Sequence, residues 1–215
     1  MTVITCETLP QLFEHVAALF AEKKDELCEM DANMGDGDLG LTMSKGYGAL
    51  PQLIRDNTEA GDVGKTLMKA GMKMASVVPS TMGTLMSSGI MAGGKALKGC
   101  SSIDGAALSR YLTAFADGIA NRGKCQRGNR TILDAVGAAA DRAAALIAAD
   151  PAATLQAVMQ AAVEGAVEGV KATKSMTPVF GKAAVFAAKA IGIADQGAVA
   201  GLIMLQGMQN AIQAE

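Results

Sequence analysis

The sequence contains no tryptophan, and its aromatic residues are limited to two tyrosines and five phenylalanines. Half of the residues are nevertheless hydrophobic, so the apolar bulk comes from alanine, leucine, methionine and valine. Alanine, leucine and methionine favour helices, and small side chains let helices pack closely. The composition therefore predicts an all-α fold, and the length suits one domain with a substantial core.

Cysteine and histidine are also scarce. The four cysteines are far apart in the sequence and form no CxxC pair, and His15 is the only histidine. A zinc site needs clusters of such ligands, and a chain of this size needs no disulfide scaffold. We therefore expect neither, and we expect His15 to pack on the first helix without binding a ligand.

The chain has no large excess of charge of either sign, since its formal net charge is −2. Nucleic-acid binding needs clustered lysine and arginine, so we expect no nucleic-acid partner. The nearest approach to a basic patch is a loop with Arg122, Lys124, Arg127 and Arg130. This loop is interpreted as contacting a phosphate, an acidic partner or only water.

Targeting and membrane signals are absent as well. The first residues lack the basic-then-apolar layout of a signal peptide. Residues 74–94 carry no charge, but they include Pro79 and four glycines and too few large apolar residues to favour insertion. We expect a cytoplasmic protein that does not enter a membrane.

Apolar residues recur at helical spacing along most of the chain. Sustained alternation typical of strands is not found. A polar, glycine-rich loop is predicted for 31–41. The predicted helices cover 7–29, 61–78, 84–98, 102–121, 131–149, 151–173, 182–191 and 196–213.

The predicted loop gathers Asp31, Asp36 and Asp38 within eight residues, in MDANMGDGDLGLTM. Carboxylates this close repel one another unless a cation balances them, and glycines let the backbone turn around such an ion. Within the loop, GDGDLG fits a dinucleotide motif only by letter, because it follows a helix, and an EF-hand would need Glu where Thr42 stands. Mg²⁺ commonly binds carboxylates together with substrate phosphates, so the loop predicts a metal-bound nucleotide. An exposed acidic turn without an ion is the alternative.

Four motifs follow one another along nearly the whole chain: GDGDLGLTM, STMGTL, RGK with GNRTILDAV, and FGKAA with IGIADQGA. Together they resemble the L subunit, or C-terminal nucleotide-binding domain, of dihydroxyacetone kinases. The resemblance implies one L-type domain over residues 1–215, folded as a closed barrel of about eight antiparallel amphipathic helices. It implies ADP or ATP bound with two Mg²⁺ ions at one end of that barrel.

The resemblance also implies partners. A separate K-type subunit would hold dihydroxyacetone or a related small ketose on a histidine of its own. The phosphoryl donor would be ATP or a phosphoprotein of the phosphotransferase system. The oligomeric state is left open, with a homodimer as one alternative.

Carried over by position, the resemblance assigns metal binding to Asp31, Asp36 and Asp38, and it assigns no residue as a certain catalytic group. The nucleotide contacts fall into four groups along the chain. They are Leu39, Gly40, Leu41 and Thr42; Ser80, Thr81, Met82 and Gly83; Gly123 and Ile132; and Lys182, Asp195, Gln196 and Gly197.

Several positions depart from the family pattern. Leu39 stands where the family has a histidine, and Lys182 replaces an arginine, which removes a bidentate fork. The turn PSTMG replaces GGxSG, and AAKAIGIADQG replaces LGERSxGHxDPG. Two other functions therefore stay open: a non-catalytic nucleotide-binding regulatory partner of a sensor or transcription factor, and a metal-dependent phosphate-ester hydrolase.

Two further residues near these motifs have open roles. Asp134 either supports the site from behind or is an acid favoured in the first turn of its helix by the helix dipole. Cys125, in the basic loop, could have a lowered pKa, although a structural role is the simpler interpretation.

Overall fold

The structure is a computed structural model that describes residues 1–214, apart from the side chains of Phe186 and Ala188. Two short strands, β1 (Ile4–Thr5) and β2 (Ser102–Ile103), accompany the helices. The helices are α1 (Leu9–Glu22), α2 (Lys24–Ala32), α3 (Leu39–Asp56), α4 (Val63–Val77), α5 (Thr81–Ala96), α6 (Gly105–Gly123), α7 (Ile132–Ala149), α8 (Leu155–Thr173), α9 (Ala187–Ala190) and α10 (Gln196–Gln213), with a 3-10 helix at Lys182–Phe186.

The long helices form a closed ring. Each helix packs against the next in the order α1, α3, α4, α5, α6, α7, α8, α10, and α10 packs against α1. Because short connections join successive helices, neighbours in the ring run antiparallel. The N-termini of α3, α5, α7 and α10 therefore lie at one end, here called the site end, and those of α1, α4, α6 and α8 lie at the far end. The predicted all-α closed barrel is confirmed.

Large side chains fill the inside of the barrel. The rings of Phe20 and Tyr47 stack with their centroids 4.9 Å apart, and Phe13 stacks on the other side of Tyr47. The Tyr47 hydroxyl donates to the Met204 sulfur at 3.0 Å. A void of only about 10 Å³ is left among the core side chains around Leu67 and Met208. Burial of each such phenylalanine contributes about 1.5 to 3 kcal/mol, so the core, and not a ligand, holds the barrel together.

Helix α3 was not predicted. Gly46, Gly48 and Pro51 lower the helix propensity of this stretch, yet the structure is helical from Leu39 to Asp56. Tyr47 and Ile54 are fully buried on one face of the helix. Tertiary packing therefore outweighs propensity here.

Three other boundaries differ from prediction. The first predicted helix is interrupted at Lys23, which separates α1 from α2. The predicted helix at 182–191 is a 3-10 turn followed by the four-residue α9. Pro151 does not start α8, since Thr154 caps the helix three residues later. Strands β1 and β2 pair antiparallel, and two residues are too few to show alternation in a sequence.

The uncharged stretch 74–94 is divided between α4 and α5, with Pro79 in the connection. Within residues 1–214, no helix is long and apolar enough to cross a membrane.

Candidate functional site

Three carboxylates converge at the site end. Asp31, Asp36 and Asp38 each place one oxygen so that the three oxygens lie within 4.8 Å of one another. The glycines of the loop make this possible, because a Cβ on Gly35 would collide with the Asp31 carboxylate. Gly37 has φ = +78°, a conformation that side chains rarely adopt. Residues 31–38, here called the metal loop, therefore fold back on Asp31, and metal binding by the three carboxylates stays a prediction.

Asp31 is the buried member of the cluster, and three donors fix its carboxylate. The backbone N–H groups of Gly37 and Asp38 donate to Oδ2 at 2.9 and 3.2 Å. The side-chain amide of Gln196, at the start of α10, donates to Oδ1 at 3.2 Å. The Gln196 bond connects the metal loop to a residue 165 positions away.

Asp38 differs from the other aspartates that precede helices. Asp62, Asp104 and Asp195 cap α4, α6 and α10, and each accepts a backbone N–H at 2.8 Å. Asp38 occupies the same position before α3, but its side chain accepts no capping hydrogen bond. Its carboxylate is therefore available to bind a cation together with Asp31 and Asp36.

Asp36 is paired with Lys182, whose Nζ lies 3.1 Å from Asp36 Oδ2. This hydrogen bond, together with the lysine charge, lowers the pKa of Asp36. Both side chains are more than half exposed, so the pair contributes little stability and can be exchanged. The structure thus brings Lys182 to the metal loop.

A cavity of about 900 Å³ opens beside the cluster, within the size range of small-molecule sites. Asp36 lines it together with four of the predicted nucleotide contacts, Ser80, Thr81, Gly123 and Ile132. Leu85, Cys125 and Phe180 add apolar surface. The lining of the cavity therefore combines polar and apolar side chains.

Helix α5 begins at this cavity with unpaired donors. Ser80 Oγ accepts the Gly83 N–H at 3.0 Å, and the Thr84 N–H bonds to the Ser80 carbonyl. Helix geometry leaves the N–H groups of Thr81 and Met82 without intrahelical partners. Since the N-termini of α3, α7 and α10 share this end, their dipoles favour anions here. The site end can thus hold phosphate as well as a cation.

The residues after the metal loop divide into buried and exposed positions. Leu39 is 5% exposed and belongs to the core. A Cβ on Gly40 would collide with the Lys24 carbonyl, so Gly40 lets α3 approach α2. Leu41 is 56% exposed, and the Thr42 N–H is bonded to the Asp38 carbonyl. For the predicted nucleotide contacts, Leu39 and Gly40 therefore offer only backbone atoms. Leu41 and Thr42 offer their side chains.

Five of the remaining predicted residues do not line the cavity: Met82, Gly83, Asp195, Gln196 and Gly197. Gly83 passes close to Val78, and Gly197 lies against the Met82 side chain and the Ile132 backbone. Asp195 is 5% exposed, and burial raises its pKa to about 6. Direct contact of these side chains with a nucleotide stays a prediction.

Asp134 starts helix α7. Its carboxylate accepts the N–H groups of Thr131, at 2.8 Å, and Gly128. Together with Thr131 it forms a capping box. Of the two roles considered for Asp134, these contacts show the helix-start role.

Cys125 lines the cavity, but burial raises the pKa of its thiol. The lowered pKa considered for Cys125 is therefore not found, because burial outweighs the hydrogen bond to Thr131 that lowers it.

Arg130 is the residue that sequence reasoning missed. It was grouped with the exposed basic loop, yet it is 2% exposed and has a left-handed φ of 59°. Its Nη2 donates to the carbonyls of Ile193 and Ala190 at 3.0 and 3.4 Å. Its Nη1 lies 3.6 Å from Asp195 Oδ1. No local pattern distinguishes it from Arg122 or Arg127, because its burial depends on residues 60 or more positions away.

Comparison with known proteins gives one family match and several relatives. The model of the DAK2 domain family matches residues 33–210. The ADP-binding subunit DhaL of PEP-dependent dihydroxyacetone kinase 1 from Listeria innocua is 29% identical over 187 residues, 87% of each chain. The corresponding Escherichia coli subunit is 27% identical over 116 residues, 54% of this chain and 55% of the relative. Human triokinase/FMN cyclase is 28% identical over 97% of this chain, which spans 34% of that protein.

Solved structures share the fold. The native dihydroxyacetone kinase of C. freundii superposes with a TM-score of 0.70 at 22% identity, covering 96% of this chain and 34% of that one. The same kinase in complex with AMP-PNP and Mg²⁺ gives a TM-score of 0.69 over 97% of this chain. This chain therefore corresponds to about a third of the length of that kinase, and the likeness concerns the barrel.

Proposed function

The chain belongs to the DAK2 domain family, and on that premise we propose that it is the nucleotide-binding subunit of a two-component kinase. In this proposal it holds ADP or ATP with two Mg²⁺ ions at the site end. A separate K-type subunit holds the acceptor, dihydroxyacetone or a related small ketose. The relatives described as ADP-binding subunits support this division of labour.

The observation that carries the proposal is the convergence of three carboxylates at the edge of a large cavity. Asp31, Asp36 and Asp38 would hold the metal through oxygen ligands, as Mg²⁺ prefers. When bound, Mg²⁺ neutralises phosphate charge during phosphoryl transfer. If the loop were only an acidic turn, the Asp38 side chain could cap α3 as Asp62 and Asp104 cap α4 and α6. It accepts no capping hydrogen bond, which favours the role of a metal ligand.

The other residues of the site suit positioning. The N–H groups at the start of α5 and the Ser80 hydroxyl face the phosphate region, and Lys182 supplies a mobile positive charge next to Asp36. The apolar wall formed by Leu85 and Ile132 would take the base. Phosphoryl transfer depends mainly on such positioning and on charge neutralisation.

A histidine able to hold a sugar covalently does not line the cavity. His15, the only histidine in the sequence, lies on α1, and it is absent from the residues that line the cavity. The acceptor and its activating group are therefore assigned to the partner. Two phosphoryl donors fit this arrangement, ATP itself or a phosphoprotein that recharges bound ADP.

The test is transfer with and without a partner. With ATP and Mg²⁺, we expect the purified chain to transfer no phosphate to dihydroxyacetone, and we expect a K-type subunit to restore transfer because donor and acceptor must be held in line. Replacing ATP by a phosphotransferase-system phosphoprotein identifies the donor. Rapid phosphorylation by the chain alone would contradict the two-component proposal. Tight Mg-ADP binding without transfer to any partner-held ketose would favour the regulatory alternative.

A further inference from the structure

Residues 181–194, here called the closing segment, run beside the metal loop and bury few of their side chains. Among the side chains described in this segment, only Ala190 is buried. Val185 is 80% exposed and Ile191 57%. Since burial of apolar surface is the main stabilising term in folding, the hydrophobic effect fixes this segment weakly. Its position depends on a few polar contacts.

The two ends of the closing segment bracket the carboxylate cluster. At its start, Lys182 lies 3.1 Å from Asp36. Just beyond its end, Gln196 donates to Asp31 at 3.2 Å. The same short stretch of chain therefore supplies a partner to two of the three candidate metal ligands. A shift of the segment changes the Lys182 contact directly, whereas Gln196 is held in α10 by the Asp195 cap.

Arg130 is the buried group that holds the segment between these two points. Its side chain is fully buried, and Nη2 donates to the carbonyls of Ala190 and Ile193. The same nitrogen reaches the sulfur of Met34, in the metal loop, at 3.7 Å. One guanidinium thus joins the N-terminus of α7, the metal loop and the closing segment.

The burial of the Arg130 side chain is unfavourable for folding. Nε and Nη1 of Arg130 have no hydrogen-bond partner among the described residues, and burying a charge that is only partly paired is unfavourable. A side chain serving only the start of α7 would not need to be charged, since Thr131 and Asp134 already cap that helix. Its donors reach the closing segment instead, which indicates a role in the site.

We propose that Arg130 is a positioning residue of the metal and nucleotide site. It holds the carbonyls of Ala190 and Ile193, and so fixes the closing segment where Lys182 and Gln196 meet Asp36 and Asp31. The inference rests on the proposed function for its ligand, Mg-ADP. The fork of arginine matters because Nη2 reaches the two carbonyls while Nη1 faces Asp195, whereas lysine carries all its donors on one nitrogen.

Arg130→Lys tests this role, with Arg127→Lys as the matched control on the same loop. Arg127 is exposed and pairs with Asp141 at 2.8 Å. Trypsin digestion of the ligand-free proteins reports how the closing segment is held, because Lys182 and Lys189 lie within it. We expect cleavage at these two lysines to be about tenfold faster in Arg130→Lys, since loss of local contacts opens a segment locally, and unchanged in Arg127→Lys. Unchanged cleavage, or equal acceleration at sites all over the chain, would overturn the proposal.

Ligand titrations separate positioning from general damage. In Arg130→Lys we expect the affinity for Mg-ADP to fall about tenfold, the range for a lost hydrogen bond to a charged group, and the affinity for adenosine to stay within about twofold. Because Arg130 acts in part through Lys182, the losses of Arg130→Lys and Lys182→Met should be less than additive in the double variant. Equal losses for both ligands, or additive losses in the double variant, would show a purely structural role.

A second variant covers the case in which Arg130→Lys does not fold. Asp195→Asn keeps the capping oxygen of α10 but removes the charge opposite Arg130, so the same selective losses should appear at smaller size. Uniform losses in that variant would overturn the proposal. A parent protein that fails to bind Mg-ADP would instead contradict the proposed function, and the digestion would still decide the role of Arg130.

Discussion

The two ends of the barrel are formed by the same helices, but they differ in how their polar groups are paired. At the far end, Asp62, Asp104 and Thr154 cap α4, α6 and α8 with ordinary hydrogen bonds to backbone N–H groups. The two strands also pair at this end, and Lys69 forms an ion pair with Glu59. The polar groups of the far end thus mostly satisfy one another.

The site end keeps groups in arrangements that do not help folding. Three carboxylates lie close together, Asp38 does not cap its helix, and Arg130 is buried with two nitrogens that make no hydrogen bond to the described residues. Repulsion and incomplete pairing cost stability. Proteins retain such features where a ligand or a reaction needs them. The difference between the ends therefore locates function without reference to any relative.

The largest expected effect comes from replacing Asp38 or Asp104, which both precede helices, by alanine. Asp38→Ala should abolish the rise in melting temperature caused by Mg-ADP, because it removes a metal ligand. It should leave the stability of the ligand-free protein unchanged or slightly higher, since it removes repulsion and no cap. Asp104→Ala should lose about 1 kcal/mol of stability as a missing cap does, and should keep the full Mg-ADP effect.

Thermal unfolding with Mg-ADP, with ADP and a chelator, and without ligand measures all of these quantities. Asp36→Ala should behave as Asp38→Ala does. If the site variants respond to Mg-ADP as the parent does, the carboxylate cluster is not the metal site and the contrast between the two ends disappears.

The second prediction concerns pH and again compares one cap from each end. Burial raises the pKa of Asp195 to about 6, so the folded protein binds a proton there that the unfolded chain releases. Its contribution to the free energy of unfolding therefore increases as the pH falls from about 6 to 4, by about 2 kcal/mol. The pKa of Asp62 is shifted in the opposite direction. Burial raises it, but the N–H groups of Lys65 and Gly99 and the Lys65 charge outweigh burial, so that the pKa is lowered. Its contribution is lost only below pH 4.

Urea unfolding of Asp195→Asn and Asp62→Asn against the parent between pH 4 and pH 6.5 separates these cases. The difference between the parent and Asp195→Asn should change across this range, whereas that for Asp62→Asn should stay flat. A flat difference for Asp195→Asn would mean that the Arg130 charge fully offsets burial.

The sequence allowed more to be predicted at the site than in the barrel around it. Asp31, Asp36 and Asp38 are adjacent in sequence, and mutual repulsion among carboxylates is a local argument, so the metal loop was found from the residues alone. The approach of Ser80, Gly123 and Lys182 to that loop followed only from the resemblance, because no local rule joins positions about 40 to 150 residues apart.

What could not be predicted depends on tertiary packing. Helix α3 forms despite Pro51 because its buried face packs in the barrel. Leu39 was predicted to contact the nucleotide, and its side chain lies in the core, which leaves only its backbone for that contact. Arg130 differs from its basic neighbours only through carbonyls contributed by a distant segment. In each case, the partner that decides the outcome is remote in sequence.

The smallest expected effect concerns two lysine–aspartate ion pairs, one at each end. Lys182 lies 3.1 Å from Asp36, and Lys65 lies 3.4 Å from Asp62. Neither pair should matter much for stability, since both lysines are about half exposed and such pairs contribute about 0 to 1 kcal/mol. Lys182→Met should weaken ADP binding about five- to tenfold in the presence of Mg²⁺, because a phosphate contact is lost, and should leave adenosine binding unchanged. Lys65→Met should affect neither ligand. Calorimetric titration of ADP and adenosine into both variants measures this. Equal losses for the two ligands in Lys182→Met would mean that Lys182 acts by supporting the chain around it, and a loss in Lys65→Met would remove the distinction between the ends that the cluster, the caps and the cavity establish.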